Sequence, residues 1–502
     1  MRPRPAVWIS RAVGGSVRGD ADVQVGPDVV VDARRATPGA LFVALPGDRA
    51  DGHDYTGQAA DAGAAAVLVS RPSDTTATEI ETPDGVAALS ALARAIITEA
   101  HADGLQVLAV TGSSGKTSTK DILAQLLESH APTIAPVGSF NNEIGVPLTA
   151  CRVDDSTRYL VSEMGARGPG HIAWLCSLVA PDLGMVLNVG TAHLGEFGSV
   201  EAIAAAKGEI IDDLPADGWA VLNRDDPRVA AMAPRTRARL AWFSVDPDAT
   251  LDPATDASGL LVQARNLGAD DVGRYHFDLA VHTADGVTVR PVQLALIGRH
   301  QVANAVAAAA AAIAVAVPVD VVAATLNALE HRSPWRMELR ERSDGAVVIN
   351  DSYNANPDSM RAALASVAEI GAARRRAHPG ARVLAVLGDM LELGDDAPAL
   401  HQQVGTLAAA AGVDHVYAVG GHAGDIVTGA RAGGAAATTC TAEQASSLHL
   451  APKDVVLVKA SRGLALERVA AALLTEPDAE DAEDTALTHR PDEAPETAQE
   501  AR

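Results

Sequence analysis

Short β-branched runs alternate with alanine- and leucine-rich helical patterns from about residue 105 to about 470, which predicts an α/β protein built on parallel sheets. Two further observations organise it. The run Thr111-Gly112-Ser113-Ser114-Gly115-Lys116-Thr117 joins an apolar strand (106–110) to a helix-patterned stretch (119–127), the place where a phosphate cradle is built. A second break at His331-Arg332-Ser333-Pro334 divides the layers in two. The expected plan is a small α/β amino-terminal domain at 1–103, a central parallel-sheet domain at 104–332, a second parallel-sheet domain at 333–475 and a disordered tail at 476–502.

The elements justify this plan in order. Before residue 104 the strands are short and the turns frequent, with Pro38-Gly39 and Pro46-Gly47 bracketing a strand at 41–45. The central domain should contain strands at 107–111, 159–163 and 185–189, and the later one strands at 347–351, 383–388, 415–419 and 455–458. The tail carries ten acidic and two basic residues, a third of the chain's net charge of −24, and almost no large apolar side chain.

Composition narrows the function classes. A strongly acidic chain is a poor partner for nucleic acid or anionic membrane, although a local basic cleft can still hold phosphates. Cys151, Cys176 and Cys440 lack C-x-x-C spacing, so neither a disulfide framework nor a structural zinc site is indicated, and a reducing cytoplasm fits. The longest apolar run, 305–317, is alanine-rich, too short to span a bilayer and stopped by Pro318.

In the glycine-rich loop, small residues let backbone N–H groups turn toward an anion, Lys116 reaches terminal phosphates and Thr117 offers a hydroxyl to Mg²⁺. Val110 occupies the first glycine position of the common G-x-x-x-x-G-K-[ST] form, so ordinary P-loop kinases and GTPases fit less well. Glu163 ends a strand, where open α/β sheets place ligand groups, and can share Mg²⁺ with Thr117. Asn188 is expected to end the next strand, with His193 following. Lys207 lies on the helix after Ser199 among Ile203, Ala204, Ile210 and Ile211, the apolar face. Burial favours its neutral amine, which can add CO₂ and become a carbamate ligand for a second Mg²⁺; a lysine snorkelling to water is the alternative. Only five lysines stand against thirty-five arginines, so a lysine inside a motif suggests amine chemistry or a compact charge.

The later domain supplies the polar loop 350–360, which can offer Asp351 to a ribose or water and amides to a peptide-like substrate; a capped turn before a helix at Pro357 is the alternative. Upstream, the segment 298–305 opens the alanine-rich helix, and Arg336 sits just past the break, so both can close on a nucleotide. The loops 387–394 and 458–463 can line the same cleft.

Together these residues resemble the Mur ligase family, in which TGxxGKT, a strand-end Glu, an Asn, a His and a carbamylated Lys follow in this order. The resemblance covers roughly residues 27–470. It extends to Asp32-Ala33-Arg34, to the segments 41–47 and 51–55, which look like the family's uridine-nucleotide domain, and to 140–147. It implies three domains: a small α/β domain, a P-loop ATPase-like domain and a Rossmann-like domain. It implies catalysis through Lys116, Glu163, His193 and Lys207, with one Mg²⁺ on Thr117 and Glu163 and another on His193 and carbamylated Lys207. ATP would lie on Thr111, Gly112, Ser113, Ser114, Gly115, Lys116 and Thr117, with Asn304, likened to the adenine contact, Arg336 and Asp351 on the far side. Arg34, Asn141, Asn142, Tyr353, Asn354 and Asn356 would bind substrate. The run Asn354-Ala355-Asn356-Pro357-Asp358-Ser359-Met360 and the loop 388–394 look most like the member that joins D-alanyl-D-alanine to UDP-N-acetylmuramoyl-tripeptide through an acyl phosphate, a cytoplasmic monomer. Two positions depart from the family: Ala33 often aligns with Ser, and Gln301 with Asn. The alternatives are a sibling ligase adding one amino acid, a folylpolyglutamate synthase, a small-molecule kinase and a nucleotide-regulated scaffold.

Overall fold

A computed structural model describes residues 1–47, 50–190, 194–251 and 259–475. His193 and the acidic tail at 476–502 therefore lie outside the described residues. Three large sheets stack along the chain. The amino-terminal sheet has the order Ser16–Arg18, Thr78–Glu81, Ala66–Val69, Leu41–Val43, Val29–Val30, with only its first pair antiparallel. Helix Gly85–Ala102, capped by Asp84 accepting from Val86 and Ala87 N–H groups, carries the apolar core of this unit into the central one.

The central sheet has nine strands, and its parallel part runs Arg239–Ser244, Trp219–Asn223, Leu183–Val186, Gln106–Thr111, Tyr159–Glu163, Thr133–Ile134. Its other wing is an antiparallel meander of long strands, Leu260–Ala269, Arg274–Thr283 and Gly286–Ile297. A purely parallel expectation missed this wing. The final strand of the meander alternates exposed and buried positions, the period-2 mark of a half-covered antiparallel strand. Helix Arg299–Ala314 lies on the same side of the sheet as helix Lys116–Glu128, and every residue from Ala305 to Ala312 is fully buried. Methyl side chains let the two helices approach closely.

The third sheet is ordered Glu338–Glu341, Val347–Asn350, Val455–Lys459, Val383–Gly388, His415–Val419, Ala436–Thr439, parallel except for its first pair. Separate apolar clusters cover its two faces. The strand expected at 185–189 instead spans Leu183–Val186. Pairing stops because Ser113 N–H donates to the Asn188 carbonyl (3.1 Å) and Ser114 N–H to Asn188 Oδ1 (3.0 Å), so the backbone leaves the ladder to brace the loop.

Candidate functional site

The carboxyl ends of the central and third sheets face one another across a cavity of about 390 Å³. Such a volume falls within the range of small-ligand pockets. On the central side, strand Gln106–Thr111 delivers the glycine-rich loop, and Thr111 Oγ1 donates to the Met164 carbonyl at 2.9 Å, fixing the loop to the next strand. Gly115 has φ +81° and caps helix Lys116–Glu128. A Cβ there would meet Asn304 Oδ1 at 2.5 Å, so glycine is required by conformation and by contact alike. Lys116 Nζ donates to the Gly112 carbonyl at 2.7 Å. Burial lowers the pKa of Lys116; Glu163 opposes that shift and Arg336 adds to it.

Glu163 is 1% exposed. Its Oε1 accepts from Asn141 Nδ2 at 2.8 Å, while Oε2 is buried without a partner among the described residues. A desolvated carboxylate oxygen without a hydrogen bond is costly, and a hard cation is the group that best satisfies it. Thr117 Oγ1, also on the cavity wall, lies 2.8 Å from Ser139 Oγ. Among the described residues no group of three or more His, Cys, Asp and Glu converges, so a divalent ion here would take one carboxylate, one hydroxyl and oxygens from its ligand.

Lys207, on helix Val200–Asp212, is buried, and no hydrogen bond to its amine is found among the described residues. Burial first, and the charge of Lys116 second, bring its pKa down to about 7. The neutral amine expected from its apolar neighbours is thus accessible near neutrality, and snorkelling is excluded by its 4% exposure.

The opposite wall is furnished by the third sheet. Asp351 Oδ2 accepts from Lys459 Nζ at 2.6 Å and Oδ1 from Met337 N–H at 3.1 Å. Both oxygens of this residue, expected to meet ribose or water, are therefore already engaged. Asn354 accepts from Ala355 N–H at 2.9 Å. Asn356 forms a capping box with Ser359 at the start of helix Pro357–Ala377, so the capped-turn alternative describes its side chain. Arg336 crosses the cavity to donate to Ser139 Oγ at 2.9 Å, and its guanidinium lies 4.1 Å from the Tyr353 ring. Gln301, the departure from the family pattern, is buried and accepts from Asn304 Nδ2 at 2.9 Å, which fixes the Asn304 amide.

The cavity thus gathers Ser113 to Thr117, Asn141, Asn142, Glu163, Asn304, Arg336, Asp351, Tyr353, Asn354 and Asn356. Lys207 is not on its wall, although it feels the charge of Lys116. Arg34 stands elsewhere, exposed on a 3₁₀ turn of the amino-terminal unit and bonded to its own Asp32. Ser139 and Lys459 were not singled out from sequence. Ser139 directly precedes the segment 140–147, and Lys459, the last residue of strand Val455–Lys459, falls in the run 458–463 expected to line the cleft; those positions were the available signals.

Three family models match the chain: the Mur ligase middle domain over residues 110–312, the "Mur ligase, glutamate ligase domain" over 335–462 and the "Mur ligase family, catalytic domain" over 28–113. A Mycobacterium tuberculosis protein named UDP-N-acetylmuramoyl-tripeptide--D-alanyl-D-alanine ligase is 41% identical over 512 aligned residues, covering 93% of this chain and 97% of the relative. The Escherichia coli protein of that name is 38% identical, covering 92% and 96%. Among solved structures, MurF from Acinetobacter baumannii superposes with a TM-score of 0.80 at 29% identity, covering 95% of this chain and all (100%) of that one. MurF from Thermotoga maritima in complex with ADP gives 0.71 at 27% identity, covering 89% and 97%.

Proposed function

This chain belongs to the Mur ligase family, and from that premise we propose that it joins D-alanyl-D-alanine to UDP-N-acetylmuramoyl-tripeptide, with ATP converted to ADP and phosphate. It is an ATP-dependent carbon–nitrogen ligase of peptidoglycan precursor synthesis, and through that product serves cell shape and division. The observation that carries the reading is the convergence of Lys116, Thr117 and the Glu163 oxygen left without a partner among the described residues on one wall of a cavity that Arg336 closes from the other.

A carboxylate is a poor electrophile, so the γ-phosphoryl group passes to the terminal carboxylate of the tripeptide. A C–O–P bond forms, the bond to the β-phosphate oxygen breaks and ADP leaves. The dipeptide amine then attacks the acyl carbon, a C–N bond forms, and phosphate departs with the electron pair of the C–O bond. Bringing carboxylate and triphosphate together opposes like charges, each pair costing roughly 4 kcal/mol at about 4 Å and an effective dielectric near 20. Lys116 and the N–H groups of the loop offset this. Thr117 and Glu163 would hold one Mg²⁺, and Lys207 as a carbamate with His193 a second; the chemistry such ions would supply there is neutralisation of phosphate charge.

Asn304 and Arg336 hold the nucleotide side and Asn141, Asn142, Asn354 and Asn356 border the peptide side; Tyr353, expected with the peptide, instead stacks on the Arg336 guanidinium, and Asp351, expected on ATP, serves by pairing with Lys459. Arg34 belongs to a uridine-binding surface on the amino-terminal unit. In this reading residues 1–103 bind the uridine nucleotide, 104–332 bind ATP, and 333–475 complete the ligase site. The enzyme acts as a monomer in the cytoplasm; among the described residues no helix is long and apolar enough to cross a membrane. The test is phosphate release from ATP with the tripeptide, comparing D-alanyl-D-alanine, single amino acids and no amine, with the product followed by mass. Pentapeptide formed only with the dipeptide supports the reading. Turnover with a single amino acid overturns it.

A further inference from the structure

Arg336 stands between two residues in left-handed backbone conformations, Trp335 at φ +62° and Met337 at φ +52°. Large L side chains rarely occupy that region, and such conformations persist only where surrounding contacts over-determine them. Both flanking residues are braced from one short segment, the end of strand Val455–Lys459 and the turn after it, beside local bonds from Trp335 N–H to Glu338 Oε2 (3.3 Å) and between His331 Nε2 and the Arg336 carbonyl (2.9 Å). Lys459, 1% exposed, bonds Asp351 Oδ2 (2.6 Å), and Asp351 Oδ1 in turn accepts from Met337 N–H (3.1 Å). Arg462 places its guanidinium 4.3 Å from the Trp335 ring. The same lysine accepts no substitute geometry easily, since it also donates to the Asn354 carbonyl at 2.9 Å, and Tyr353 N–H donates to the Trp335 carbonyl at 3.1 Å.

We infer that Lys459 and Arg462 form a clamp that holds the segment Trp335–Met337 in its strained conformation and so presents Arg336 to the nucleotide. They are positioning residues: neither needs to touch ATP, and their effect passes through Arg336 to Ser139 and Thr117. A buried Lys–Asp pair at this point also removes a problem that the sequence raises. An uncompensated Asp351 carboxylate on the wall of a triphosphate site would repel its ligand, and Lys459 cancels that charge inside the wall. The clamp rests on the nucleotide role given to Arg336 in the proposed function.

The test measures KM for ATP and for D-alanyl-D-alanine in the full-length enzyme, with folding of each variant checked by circular dichroism. Arg336→Ala sets the reference. Arg462→Ala, at a half-exposed position that should fold, and Lys459→Met should each raise KM for ATP about tenfold, leave KM for the dipeptide within about twofold, and add little on the Arg336→Ala background. Lys459→Arg should recover part of the loss. Additive effects with Arg336→Ala, an unchanged KM for ATP in Arg462→Ala, or equal shifts in both KM values would overturn the clamp alone. An Arg336→Ala enzyme with unaltered KM for ATP would overturn both the clamp and the nucleotide role of Arg336.

Discussion

On the central side of the cavity polar groups retain capacity: on the wall Glu163 Oε2 is buried without a partner among the described residues, and behind the wall Lys207 is buried without a hydrogen bond among them, its pKa brought down to about 7. On the opposite wall they are spent on one another, with Asp351 on Lys459 and Met337, Asn354 on Ala355, and Asn356 on Ser359. Groups with unused capacity are expensive to fold around and are kept where a ligand or ion will satisfy them. Satisfied groups hold shape. The comparison therefore separates a wall suited to chemistry from a wall suited to presentation, although both carry polar loops at strand ends.

The largest expected effect is at the chemical wall. Lys116→Ala should lower the rate of ADP formation by about a thousandfold or more, since in the proposed reading it removes a positive charge beside the phosphates. Near-normal turnover would end the distinction at once. Lys207→Ala should follow, with a loss of about a hundredfold that added short-chain carboxylates partly restore. In the native enzyme activity should rise with pH through about 7, where the Lys207 amine loses its proton and can accept CO₂. The same shift bears on stability. Because the folded pKa lies below the unfolded value of 10.5, the folded chain binds fewer protons between the two. The cost of burying Lys207 is full below about pH 7 and fades as pH rises toward 10.5, so Lys207→Met should flatten the pH dependence of thermal melting in that window.

The presenting wall should answer in stability and, through the clamp on Arg336, in KM for ATP, with smaller losses of turnover than the chemical wall. Asp351→Asn leaves the Lys459 ammonium buried without its counter-charge and should cost about 2 kcal/mol in denaturant unfolding. Asn356→Ala should give the smallest effect, about 1 kcal/mol from the lost helix cap, with turnover reduced far less than at Lys116. A loss of activity at Asn356 as deep as at Lys116, with unchanged stability, would place substrate chemistry on both walls and dissolve the contrast.

What the sequence made legible was local. The cradle at 111–117, the strand-end Glu163, the apolar setting of Lys207 and the helix start at Pro357 each rest on neighbours a few residues away. Ser139 was invisible because its role comes from Thr117 and from Arg336, which lies 197 residues further along. Lys459 meets Asp351 across 108 residues, and no short-range pattern marks such a pair. The antiparallel wing of the central sheet was legible in principle, since the period-2 alternation of 286–297 is written in the sequence, but it was masked by the stronger α/β rhythm around it.

The alanine-rich helix Arg299–Ala314 has a mechanical consequence. A fully buried stack of methyl groups has no rotamers with which to absorb displacement, and protein interiors are nearly incompressible. The helix carrying Asn304 and the helix rising from Gly115 are therefore a single rigid piece, with the Asn304 amide seated against the glycine. The spacing between the Asn304 amide and the glycine-rich loop is set like a fixed gauge, and any opening of the cavity has to come from motion of the Arg336 side.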